Sequence, residues 1–108
     1  MKPEVWYDDI VMGDFIEDLI GDIEYNMKFV ETTNSYFEQL SIEKFALEQL
    51  LQAIRRGCGL PPEAIVARFV QDMNDSACET DNERNNFVFS IARDAAQSVL
   101  DGLYFVDT

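Results

Sequence analysis

One stretch, Gly13 to Glu31, constrains the fold more than any other because it combines an apolar stripe with a dense run of carboxylates. Its apolar residues recur at steps of three and four, a spacing that places side chains on one face of an α-helix. The stripe, with the residue before it, consists of Met12, Ile16, Leu19, Ile20, Ile23, Met27 and Val30. An apolar face of this size has to be buried, so we predict a helix that packs against the rest of the chain.

The acidic residues of the same stretch fall on the opposite half of the predicted helix. They are Asp14, Glu17, Asp18, Asp22, Glu24 and Glu31. Residues 1–33 contain nine acids and two lysines, which gives −7 of the chain's net charge of −13. One element is therefore predicted to form both a wall of the core and the most negative surface of the protein.

Length and composition favour one acidic domain spanning residues 1–108. A hydrophobic fraction of 47% with 12% aromatic residues is enough for one packed core and too high for an acidic disordered tail. A net charge of −13 argues against direct binding of nucleic acid or of an anionic membrane. We expect the partner to be a basic protein or a nucleic-acid-binding protein.

Several classes of site are excluded because the chain contains no histidine. Ser-His-Asp and Cys-His nucleophiles and most zinc sites need an imidazole. Cys58 and Cys78 do not have a metal-binding spacing, and we expect two free thiols in a cytoplasmic protein. No apolar run approaches the roughly 20 residues of a membrane span, and we expect no secretion signal at the start of the chain.

Capping residues and glycines delimit the first two predicted helices. The first runs from about Pro3 to about Thr33, with a possible kink or break near Gly13. The second runs from Ser35 to Arg56, with Ser35 and the glutamate three residues later forming a capping box. Gly57 supplies a residue that tolerates the left-handed conformation at the end of the second helix.

The third helix is predicted to begin at the proline pair Pro61-Pro62 and to end at about Met73, before Asn74-Asp75-Ser76. The fourth opens with a second capping box, Thr80 to Glu83, and runs to about Phe105. The expected fold is all-α, a compact single-domain bundle of four helices, or five if the first or second helix breaks. We place the fourth helix at the centre because it has a wide apolar arc with many small residues.

The candidate binding surface lies on the polar side of the first helix. Its residues are Asp14, Glu17, Asp18, Asp22, Tyr25 and Phe29. Aromatic rings beside carboxylates are typical of a protein-binding epitope, in which rings supply contact area and acids attract a basic partner. The alternative is that Tyr25 and Phe29 pack under a neighbouring helix and that the acids are only solvated.

Two further functions fit the sequence. In the first, the acidic face imitates a nucleic-acid backbone and inhibits a DNA- or RNA-binding protein by occupying its basic groove. In the second, the chain is a homo-oligomeric structural protein whose leftover apolar residues pack across a two-fold axis. These residues are Ile42 and Phe45, which point away from the main stripe of the second helix, or Trp6 and Phe105 near the termini. The second helix has a net charge of zero, so we expect a homodimer to form through it.

An enzyme would have to rely on carboxylates. Magnesium sites on facing helices use paired acids three residues apart, and here that spacing appears only in Asp14 with Glu17 and in Asp72 with Asp75. A site beside the most acidic helix would also repel phosphate substrates. We therefore expect no enzyme activity, no catalytic residues, no bound metal and no cofactor.

Overall fold

The computed structural model describes the backbone of residues 9–57 and 60–106, and the side chains of residues 12–57 and 60–102. The described chain forms four helices: α1 (Asp9–Met27), α2 (Ser35–Arg56), α3 (Pro62–Glu79) and α4 (Glu83–Val106). These ranges contain no strand, and α1 and α2 both run without a break. The predicted all-α bundle of four helices is confirmed. Residues 3–8 of the predicted first helix lie outside the described residues.

Helix α1 ends at Met27, so the prediction that it reaches Thr33 is wrong. The backbone N–H groups of Lys28, Phe29 and Val30 each bond to the carbonyl three residues earlier, which turns the chain out of the α-helix. This stretch contains three β-branched residues, whose helix propensity is low: Val30, Thr32 and Thr33. Phe29 and Val30 are the apolar residues of this stretch, but neither is buried, so packing does not overcome that preference.

Helix α2 has the predicted bounds, but its cap is one residue earlier than expected. Asn34, in an extended conformation, accepts a hydrogen bond of 2.8 Å from the backbone N–H of Tyr36. Ser35 is the first helical residue and does not act as the cap. At the other end Gly57 has a φ of +59°, and its N–H donates to the carbonyl of Ala53, which confirms its predicted role.

Helix α3 continues past Met73 to Glu79, so the predicted stop at Asn74-Asp75-Ser76 is wrong. Asparagine and aspartate side chains often disfavour a helix because they hydrogen-bond to nearby backbone groups. Here they bond to other side chains: Asn74 accepts a hydrogen bond from Arg93 of α4, and Asp75 accepts one from Gln71. Ala77, in the last turns of α3, is 4% exposed. Tertiary packing therefore extends a helix whose local sequence favours a stop.

Helix α4 is capped by Asn82 rather than by the predicted Thr80. The side-chain oxygen of Asn82 accepts the backbone N–H groups of Arg84 at 2.8 Å and Asn85 at 3.1 Å. Thr80 instead accepts the N–H of Asn82 and shapes the turn before the helix. Asn86 then donates to the carbonyl of Ala77, which fastens the start of α4 to the end of α3.

Helices α2 and α4 share the centre of the core. Among the described residues, α2 packs against each of the other three helices, and α4 packs most extensively against α3, then against α2, and approaches α1 where Gly102 lies beside Phe15. Helix α2 also supplies the largest share of the buried apolar side chains: Leu40, Ala46, Leu47, Leu50, Leu51 and Ile54. The α1 stripe joins the same cluster, with Met12 and Ile16 fully buried.

The small residues of α4 do allow close approach. A Cβ atom added at Gly102 would lie 2.5 Å from Cζ of the Phe15 ring on α1. A Cβ at Gly21, on the exposed side of α1, would meet nothing within 4 Å.

These two glycines should therefore respond in opposite directions to alanine. Gly21→Ala should stabilise the protein by up to about 1 kcal/mol, because alanine has the higher helix propensity. Gly102→Ala should destabilise it by about 1–3 kcal/mol, because the Phe15 ring has to move within the packed core. Urea unfolding followed by circular dichroism measures both, and equal stabilisation by the two changes would contradict the packing of α4 against α1.

The cap of α2 supplies a second stability test. Asn34→Ala should cost about 0.5–2 kcal/mol because the Tyr36 N–H loses its partner. Ser35→Ala, the matched control one residue later, should change the free energy of unfolding by less than about 0.5 kcal/mol. The reverse order in the same unfolding assay would show that the serine is the cap.

Candidate functional site

The packing of α1 against the core turns its acids outward. Met12, Ile16 and Ile20 are buried, so the residues on the other side of the helix face solvent. All six predicted site residues are exposed: Asp14, Glu17, Asp18, Asp22, Tyr25 and Phe29. We call these six residues the acidic–aromatic face.

Basic residues of α2 pair with some acids of α1 and not with others. Arg55 pairs with Glu17, and Lys44 lies 3.4 Å from Glu24. Asp14, Asp18 and Asp22 take part in no ion pair within the described part of the chain. They follow one another at steps of four residues, about 6 Å of helix rise, and so form a row of carboxylates along one side of α1.

Two aromatic rings continue the face at the C-terminal end of α1, Tyr25 in its last turn and Phe29 just beyond it. Tyr25 is 61% exposed and Phe29 is 73% exposed, and their ring centroids lie 5.1 Å apart in an edge-to-face arrangement. The alternative in which both rings pack under a neighbouring helix is therefore wrong. Phe29 also lies in the turn after Met27, not on the helical face to which the sequence assigned it.

A cleft beside Asp22 adds residues that the sequence analysis missed. It has a volume of about 270 Å³ and lies between α1, α2 and α4. Asp22, Glu43 and Asp94 contribute carboxylates from three helices, and the apolar part of the lining is Leu19, Ile23, Leu47 and Ala95. Glu43 and Asp94 are distant from α1 in sequence, so only the packing of the helices could bring them to this face.

The other candidate residues of the sequence are the acid pairs and the two cysteines. Within residues 12–57 and 60–102, no group of three or more acidic or cysteine side chains is placed to hold a metal ion. Asp75, of the second acid pair, accepts a hydrogen bond from Gln71. Cys78 is a free, exposed thiol, and Cys58 lies outside the described residues.

Across the described ranges, none of the four helices combines the length and the apolar composition required to cross a bilayer.

Fold and surface together define the class: a small all-α bundle with an exposed acidic and aromatic face on its first helix. No protein family model, curated protein or solved structure matches the chain significantly.

The exposure of the aromatic pair predicts that Phe29 contributes little to folding. Phe29→Ala should change the free energy of unfolding by less than about 0.5 kcal/mol. Phe15→Ala, the same change at a ring packed against the core, should cost about 2 kcal/mol or more. Chemical denaturation of both variants tests this, and a large loss for Phe29→Ala would mean that its ring is a folding contact rather than a free surface.

Proposed function

We propose that this protein is a non-enzymatic interaction module that binds a basic protein through the acidic–aromatic face of α1. The observation that carries the proposal is the exposed pair of Tyr25 and Phe29 beside carboxylates that pair with no cation of the described chain. A structural role in folding does not account for two large rings that are 61% and 73% exposed.

The rings and the acids have different roles in such an interface. Tyr25 and Phe29 supply a rigid apolar contact area, of the kind that concentrates binding energy near the centre of an interface. The carboxylates accelerate the encounter with a positively charged partner and fix its orientation. Asp18 and Asp22 should contribute more than Glu17, since Glu17 would first have to leave Arg55.

The cleft beside Asp22 suggests which side chains the partner presents. A lysine or arginine has an apolar stem and a charged end. The stem would lie against the apolar lining at Leu19 and Ile23, with the charged end nearest Asp22. Glu43 accepts a hydrogen bond from Gln39 and Asp94 pairs with Arg93, so these two carboxylates add negative potential to the cleft rather than free ligands. This arrangement supports a partner with a protruding basic side chain.

A narrower version of the function is mimicry of nucleic acid. The row of Asp14, Asp18 and Asp22, which forms no ion pair within the described residues, favours it, because regularly spaced negative charges along a rod resemble a phosphate backbone. Under this version the partner is a DNA- or RNA-binding protein, and the row occupies its basic groove.

Removing two charges from the row should weaken binding. With Asp18→Asn and Asp22→Asn combined, we expect about tenfold lower affinity for the partner and a smaller dependence of that affinity on salt. The measurement is affinity capture from a cell lysate at about 0.05 M salt, release at about 0.3–0.5 M salt, and quantitative mass spectrometry of the released proteins.

The control is Glu79→Gln with Asp81→Asn, which changes the net charge by the same amount outside α1. It should retain the same partner at near wild-type yield. Equal capture by both double variants would contradict the proposed face, and release of the partner by added duplex DNA or RNA would support the mimic.

A further inference from the structure

A second surface lies on a side of the bundle to which α1 contributes no residue. It is a groove of about 340 Å³ between α2, α3 and α4. Eight of its nine lining residues are apolar, and the ninth is Gln49. Phe69 and Met73 contribute from α3, and Phe89 from α4. We call this surface the α2–α4 groove.

Phe45 of α2 belongs to the same surface but stands out from it. Its side chain is 62% exposed, although it lines the groove together with the buried Ala46. Neighbouring Gln49 is also exposed. The patch thus carries a projecting ring and an apolar hollow side by side.

Charge decides which kind of partner suits this patch. No residue that lines the groove is charged, in a chain whose net charge is −13. Helix α2 contains three acids and three bases, and Glu38 pairs with Arg84 of α4. A basic partner gains no specific attraction here, whereas another strongly acidic molecule can approach here with the least repulsion.

We propose that the α2–α4 groove is occupied by a second copy of this chain, with Phe45 of each copy inserted into the groove of the other. A two-fold interface brings the same patch of both copies together, so it requires a projection and a hollow on one surface. Phe45 and the adjacent groove meet that requirement. The acidic–aromatic face is built on α1, so it stays free for its own partner.

The proposed dimer and the proposed partner complex should respond to salt in opposite ways. Screening reduces the repulsion between two copies that each carry −13, so added salt strengthens the dimer. The same screening weakens attraction between the acidic–aromatic face and a basic protein.

Light scattering coupled to size exclusion tests the proposal on the full chain. At about 0.5 M salt the wild type should have twice the mass of the 12.4 kDa monomer, with a lower dimer fraction at about 0.05 M salt. Phe45→Glu should be monomeric under both conditions, because each copy would have to bury a carboxylate in the uncharged, mainly apolar groove of the other. Gln49→Glu, which removes no apolar group, should shift the same equilibrium towards monomer.

The matched control is Phe29→Glu, an identical change at a more exposed ring outside the groove. It should retain the wild-type dimer fraction, and circular dichroism should show that all three variants are folded. A wild type that remains monomeric at about 0.5 M salt overturns the proposal, and so does a dimer that survives Phe45→Glu or is lost in Phe29→Glu.

Discussion

The burial of the α1 stripe against α2 is the contact on which the rest of the molecule depends. Met12 and Ile16 are fully buried in the same cluster as Leu50 and Ile54 of α2. Because a helix has two sides, fixing the apolar side in the core also fixes the direction of the carboxylates on the other. The exposed acidic surface is therefore a consequence of core packing, and it should disappear only if α1 detaches.

Two surfaces of opposite character result from this arrangement. The acidic–aromatic face combines two exposed rings with Asp14, Asp18 and Asp22, which form no ion pair within the described residues, and we propose a basic protein as its partner. The α2–α4 groove is uncharged and apolar, and α1 does not line it. A dimer formed through the groove would present two acidic–aromatic faces at once, and two linked sites hold a repetitive partner more tightly than one site does.

Local sequence determined part of this structure, and tertiary contacts determined the rest. The bounds of α2 follow from Asn34-Ser35 at one end and Gly57 at the other, and the period of the α1 stripe gives the exposed acids directly. The end of α3 cannot be predicted from the local sequence, because Asn74 accepts a hydrogen bond from Arg93, which lies 19 residues away in the chain. Two other features depend on how the helices pack, which periodicity does not reveal. One is the ion pair of Glu17 with Arg55, and the other is the cleft that Asp22, Glu43 and Asp94 line from three helices.

The most direct test of the central claim is a residue-level map of the surface that the captured partner covers. Proton–nitrogen correlation spectra of the labelled protein, recorded with increasing partner, would supply it. The account predicts that the changes concentrate between Asp14 and Glu31, strongest around Asp22, Tyr25 and Phe29, and that they fade as salt is added. Changes confined to α3 and the α2–α4 groove, with α1 unaffected, would contradict it.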